Sequence, residues 1–281
     1  MDVSATPAKA PVGVPITAVA VAMARAMESD RADRVFADPY ARSFVDAARA
    51  ELGADEWPSL VAWVDLFYSR GVVRTRFIDD FVGEAVAAGC AQVVLLGAGL
   101  DARGFRLPLA EADVFEVDTP SVFAFKDKVL ADAGARPTAR SRTVVRADLR
   151  EDFAARLADS AFDPGRPTAW VTEGVLPYLT GDQARHVVTD IGRLSAPGSR
   201  LVFEHADKPG PDPRAAVAAR TTPGADRISA MVRGGLGPEG RDWVAGQGWT
   251  IRTIERGELG PRYGRPDERL ARGQFIIATH D

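Results

Sequence analysis

The chain has 281 residues, enough for one large domain or two modest ones, and its 46% hydrophobic, 26% charged composition excludes a disordered, collagen-like or coiled-coil protein. Lys and Arg number 35 against 39 Asp and Glu, a formal net charge of -4, so there is no global basic field to condense onto nucleic-acid phosphates. One cysteine, Cys90, and three histidines, His186, His205 and His280, exclude an internal disulfide, give no zinc spacing, and fit a reducing compartment with no structural metal.

Pro7, Pro11, Gly13 and Pro15 predict a loose arm over residues 1–15, able to close over a site. The apolar stretch 16–24 is too short to span a bilayer and runs into Arg25, Glu28 and Asp30; with only Lys9 before it, it does not suit a secretory signal, and a cytoplasmic protein is expected. Helical periodicity follows over 16–27, after Asp38-Pro39 around Phe44 and Val45, and over 61–88, with Pro39 and Pro58 at the breaks. Residues 1–90 are therefore expected to form an arm and a helical cap ahead of a second unit, 91–281.

That second unit opens with a buried strand at 92–96, whose unbroken apolar run suits a parallel sheet covered on both faces. Strands are predicted at 114–117, 143–146, 169–172 and 200–204, alternating with helices at 120–133, 149–158 and 182–194, an α/β pattern with right-handed crossovers. Residues 207–240 hold 11 Pro or Gly in 34 positions, which marks an inserted lid. Two last strands, 250–254 and 274–279, lack a long helix between them and predict an antiparallel pair at one edge.

Gly97-Ala98-Gly99 follows the first strand directly, where glycines permit a tight turn and close approach of backbone to a ligand. Asp118 ends the second strand 21 residues after Gly97, the spacing of a strand, helix, strand unit, and can accept both ribose hydroxyls of an adenosine. It could instead cap the helix that Pro120 starts. Asp148 follows the third strand and can bind an adenine amino group, unless it too is a helix cap, and Glu173 follows the fourth. Three acids at one carboxyl edge point at one crevice. The glycines alone do not choose the cofactor, because Gly97, Gly99 and Ala102 also satisfy a nicotinamide dinucleotide pattern. The long helical region before the first strand, the later acids and the terminal strand pair suit methyl transfer better than an oxidoreductase; a nucleoside-binding module without catalysis is the third reading.

The segments 94–103 (Val-Leu-Leu-Gly-Ala-Gly-Leu-Asp-Ala-Arg), 115–120 (Phe-Glu-Val-Asp-Thr-Pro), Asp148-Leu149 and 173–179 (Glu-Gly-Val-Leu-Pro-Tyr-Leu) resemble the leucine carboxyl methyltransferase family, in its actinobacterial and polyketide O-methyltransferase branch. The likeness extends from Thr17-Ala18 and Asp38-Pro39 to the final strand. It implies a Rossmann-like class I fold binding S-adenosylmethionine, with seven strands, the last antiparallel, and helices added at the N-terminus. Gly97, Asp118, Asp148, Leu149 and Glu173 match its cofactor-binding positions, and Gly99 belongs to the same turn. Arg74 matches the arginine that pairs with the methionine carboxylate, with Arg76 its competitor. Pro177 departs from the family's pattern.

Transfer from a sulfonium is an in-line displacement, so holding the acceptor oxygen near the methyl and excluding water matters more than acid-base work. An ionised carboxylate acceptor needs no base, whereas a phenol would benefit from one. His205, after the fifth strand, is the candidate base or hydrogen-bond donor, and Tyr178 a candidate for the acceptor pocket. Met23, Met27, Trp63, Phe67 and Tyr68 read as core, with contact of some of them to substrate as the alternative. The expected partner is a small, partly apolar acid or phenol, such as a polyketide-type metabolite, enclosed by the N-terminal helices and the lid.

Overall fold

Apolar runs too continuous for one buried face place the first strand inside a sheet, and the computed structural model, which describes residues 15–52, 56–206 and 231–281, shows that sheet to have seven strands. In chain order they are β1 (Gln92–Leu96), β2 (Asp113–Asp118), β3 (Ser141–Arg146), β4 (Thr168–Thr172), β5 (Arg200–His205), β6 (Trp249–Glu255) and β7 (Gln274–His280). The spatial order is β3-β2-β1-β4-β5-β7-β6, with β1 to β5 mutually parallel. The predicted antiparallel pair exists, but β7 is inserted between β5 and β6 and is antiparallel to both, leaving β6 at the edge. The order reverses between β1 and β4, and the crevice at their carboxyl ends is where an open α/β sheet binds ligands.

Alternate strand residues feed two cores. Val94, Leu96, Phe115, Val117 and Trp170 face helices α6 (Phe153–Ala158), α7 (Gly181–Arg193) and α8 (Gly240–Ala245). Val93, Leu95, Val114, Ala169 and Val171 face α3 (Glu56–Ala87), α5 (Pro120–Asp132) and α9 (Arg256–Arg262). A third cluster joins α1 (Ile16–Ser29), α2 (Ala41–Glu51) and the start of α3 to Leu100, Phe105 and Leu130, seating the N-terminal helices on the turn after β1. The short helix α4 (Arg103–Arg106) completes that turn.

Several boundaries differ from the sequence reading for identifiable reasons. Pro58 does not break α3, because it lies in the first turn, where its missing N–H has no helical partner to lose. The helix expected over 149–158 starts only at Phe153, capped by Asp152, whose side chain accepts from the Ala155 N–H at 3.0 Å. Asp148 Oδ1 accepts the Arg150 N–H at 2.9 Å and turns the chain before that cap, so Asp148 and Leu149 stay on a loop. Of the segment 207–240 expected as a lid, residues 207–230 lie outside the described residues, as does the arm before residue 15. The end of that segment docks by backbone: the Arg233 N–H donates to Pro177 O at 2.8 Å and the Gly235 N–H to Leu179 O at 3.0 Å. No helix among the described residues is long and apolar enough to cross a membrane.

Candidate active site

A cavity of about 690 Å³ opens at the carboxyl ends of β1, β2 and β4, a size that takes a drug-sized ligand. Its floor is the turn after β1. Gly97 has φ +62°, and a Cβ there would lie 2.4 Å from Val175 Cγ2, so only glycine lets this turn pass under the loop after β4. Gly99 has φ +44°, and its N–H donates to Asp118 Oδ2 at 2.7 Å. Asp118 Oδ1 accepts the Thr119 N–H at 2.7 Å. Asp118 is thus no helix cap; α5 is entered through Thr119, and the carboxylate stands in the cavity wall. Burial pushes its pKa above the ordinary carboxylate value, against the two N–H groups that hold its charge. Each oxygen retains lone-pair capacity for a ligand hydroxyl. The glycine cradle and this acceptor fit the adenosine of S-adenosylmethionine.

The structure brings Arg74, Gly97, Gly99, Asp118, Asp148, Leu149, Glu173 and Tyr178 into the lining of this one cavity. Asp148 pairs with Arg150, which holds its carboxyl below the usual range. Arg74 and Arg76 separate cleanly: Arg76 turns away to Asp80 at 2.7 Å and to the Val35 carbonyl at 3.0 Å, whereas Arg74 is buried in the cavity wall. Its Nε donates to Glu173 at 3.0 Å and its Nη1 to Glu204 at 3.2 Å. Nη2 makes no hydrogen bond among the described residues, so the guanidinium keeps a donor for a ligand carboxylate. Gly174, at φ +61°, makes room for it, since a Cβ there would lie 3.2 Å from Arg74 Nη1.

Glu173 is less exposed to a ligand than its place after β4 suggests, because two arginines claim it. Arg103 Nη1 donates to Glu173 Oε2 at 2.6 Å, and Arg103 also pairs with Asp101 and, at 2.7 Å, with Asp79. Burial alone would raise the Glu173 carboxyl; Arg103 and Arg74 outweigh it and hold the group below its ordinary value. The same balance, led by Arg103, holds Asp101 well below its own. These pairs belong to a continuous neutral network. Asp38 sits between Arg25 at 3.4 Å and Arg106 at 3.8 Å, Arg106 grips both oxygens of Asp79 at 2.7 Å, and Glu204 links Arg74 to Arg256 at 3.3 Å. The sequence reading quoted Asp101 and Arg103 inside a motif but gave neither a role; Asp79, Arg106, Glu204 and Arg256 carried no local signal.

His205 is buried at the end of β5, in register with Gln274, and is not among the described residues that line the cavity. Tyr178 does line it, in a 3-10 turn that Pro177 shares, and burial pushes its phenol above the ordinary value despite nearby Arg74. Of the aromatic and methionine residues on α1 and α3, Trp63 and Phe67 reach the cavity. Met23 is core, Met27 is partly exposed, and the Tyr68 hydroxyl donates to Glu28 at 2.6 Å. Helix α1 roofs the cavity with Thr17, Ala18, Val21 and Arg25.

Comparison with known proteins agrees with this architecture. The family model described as leucine carboxyl methyltransferase matches residues 18–192. A Frankia alni protein, provisionally named an S-adenosyl-L-methionine-dependent methyltransferase, is 41% identical over 96% of this chain and 95% of its own. A Parafrankia relative of the same provisional name is 42% identical over 95% of this chain and 87% of its own. Among solved structures, a provisionally assigned methyltransferase from Thermobifida fusca (TM-score 0.53, 20% identity, 100% of both chains) shares the fold. So does a DUF574-family protein from Streptomyces avermitilis (TM-score 0.55, 16% identity, 97% of this chain and 100% of that one). The nicotinamide alternative that the glycines left open falls with these matches: the chain is an S-adenosylmethionine-dependent methyltransferase and belongs to the leucine carboxyl methyltransferase family.

Proposed function

We propose that the protein transfers the methyl group to an oxygen of a small molecule, a carboxylate or a phenolic hydroxyl, with the carboxylate favoured. One observation carries this reading. The cavity continues from Asp118 and Arg74 to an aromatic wall of Trp63, Phe67 and Tyr178, while its described lining holds no histidine, lysine or cysteine. Three of the four acids in that lining are poor bases for a phenol, and the fourth, Asp118, is taken up by the ribose. Asp101 and Glu173 are held ionised by arginines, and Asp148 by Arg150. The Tyr178 phenol, raised by burial, stays protonated at neutral pH and can donate a hydrogen bond but not take a proton. An acceptor that arrives ionised suits such a site.

When bound, S-adenosylmethionine would supply a methyl on a sulfonium for transfer to the acceptor oxygen, with the C–S electron pair returning to sulfur. Asp118 would hold the ribose hydroxyls, Arg74 the methionine carboxylate, and Asp148 with Leu149 the adenine edge. Glu173, fixed by Arg103, holds Arg74 in place. Helix α1 and the aromatic wall exclude water, and Tyr178 orients the acceptor.

The test is to incubate the protein with methyl-labelled S-adenosylmethionine and a panel of acids, phenols, amines and thiols. Label in an ester, released by mild base, is the expected product, at a rate flat from about pH 6 to 8 where carboxylates are already ionised. Label in amines or thiols alone would sink the reading.

A further inference from the structure

Phe67 lies between Trp63 and Arg74 along α3. The Trp63 and Phe67 rings stack with centroids 4.9 Å apart and 14° between planes, and the Arg74 guanidinium carbon sits 5.0 Å from the Phe67 centroid. Residues four and seven apart share a helix face, so these side chains form one wall of the cavity, the two rings stacked face to face and the guanidinium over Phe67, leading to the methionine end of the cofactor. Gly71 makes the wall possible. A Cβ there would meet Phe67 Cε1 at 2.7 Å, so a glycine, otherwise unfavourable in mid-helix, lets the ring lie down against the backbone.

The charges lining the cavity close on one another with two exceptions. Arg25 is held by the Leu100 carbonyl at 2.8 Å and by Asp38, Arg74 by two glutamates, Arg150 by Asp148, and Asp101 by Arg103. Asp118 rests on backbone N–H groups and is assigned to the ribose. Arg233, an exposed residue, lines the cavity, and its side chain makes no hydrogen bond or ion pair with any described residue. Its backbone is pinned to Pro177 O, beside Tyr178.

We propose that the acceptor is a planar aromatic anion, its ring against the Trp63–Phe67 wall that Gly71 seats and its negative group on Arg233. This deepens, and rests on, the O-methyltransferase reading. A guanidinium binds a carboxylate through a planar fork, and a ring gains from aromatic contact with the Trp63–Phe67 stack as well as from area. An aliphatic acid uses only the first of these contacts and an uncharged phenol only the second.

Calorimetry on the full chain saturated with S-adenosylhomocysteine would compare 2-naphthoate, cyclohexanecarboxylate and 2-naphthol. 2-Naphthoate is expected to bind at least about tenfold tighter than either. Arg233→Gln should erase its advantage over 2-naphthol, and Gly71→Ala its advantage over cyclohexanecarboxylate. The affinity of Arg233→Gln for S-adenosylhomocysteine should not change, which reports folding independently. Equal binding of the three, no binding of 2-naphthoate, or an unchanged 2-naphthoate affinity in Arg233→Gln would overturn the proposal. Repeating the incubations with S-adenosylmethionine separates the two readings. Aromatic-anion binding without transfer to any acid or phenol overturns O-methylation and leaves this preference standing; transfer to the aliphatic acid alone does the reverse.

Discussion

Asp118 is a charge whose burial is tolerated for the sake of a ligand. Its carboxylate has two backbone N–H groups and no cation paired with it among the described residues, so ribose hydroxyls bring the hydrogen bonds that burial removed. Asp118→Ala is therefore expected to weaken S-adenosylhomocysteine binding at least tenfold, from charge-assisted hydrogen bonds worth roughly 1.5–3 kcal/mol, in a calorimetric titration. Unchanged affinity in a folded variant would remove Asp118 from the site. Asp118, Gly97 and Gly99 were legible in the sequence because their work is local: a turn directly after an apolar run, and an acid one crossover later. Arg233 and the Trp63–Phe67 pair were harder to read. An arginine or a tryptophan at helical spacing looks the same whether it faces solvent, core or cavity, and only the fold decides.

At the scale of elements, the ion-pair network ties α3, the turn after β1, the loop after β4 and the end of β5 into one support beneath the cavity. Arg103 is its hub, fully buried and contacting Asp79 on α3, Asp101 beside it and Glu173 after β4. Removing the hub leaves three buried carboxylates short of a partner, and breaking a buried pair by deleting one side costs about 3–5 kcal/mol. Arg103→Met is expected to lose that much in urea denaturation, and Arg103→Lys less, because one ammonium keeps the charge but not the fork. A loss under about 1 kcal/mol for Arg103→Met would show that the network is not a support. No sequence pattern could have announced it. Arg103 reaches a partner 24 residues back and another 70 ahead, while Arg74 pairs across 99 and 130 positions. The strands were legible for the opposite reason, since an apolar run carries its own burial. Where element boundaries moved, at Pro58 and at Asp148, a residue compatible with two roles took the other one: a proline opening a helix, and an acid making a turn ahead of the cap.

Across the whole molecule, the fold moves Asp118 one way and the buried pair Asp101 and Glu173 the other, and this sets the order of failure on acidification. Asp118 is raised by burial, so it takes up its proton above the ordinary carboxylate range near pH 4, and the ribose loses an ionised acceptor there. Glu173 and Asp101 are buried too, but their arginines overcome that penalty and depress them. A depressed group adds stability that is fully present above its unfolded pKa and is lost only as pH falls through its lower folded value. Cofactor affinity should therefore decline first, while the chain is still folded, and the network should fail afterwards, below about pH 4. Titrating S-adenosylhomocysteine affinity and intrinsic fluorescence in parallel from pH 7 to 3 measures both. An affinity loss that coincides with unfolding would mean that Asp118 titrates with the support and that site and scaffold are not separately tuned. In the Asp118→Asn variant the early phase should vanish and the unfolding phase remain, because the amide carries no titrating proton while Arg103 still holds Asp101 and Glu173.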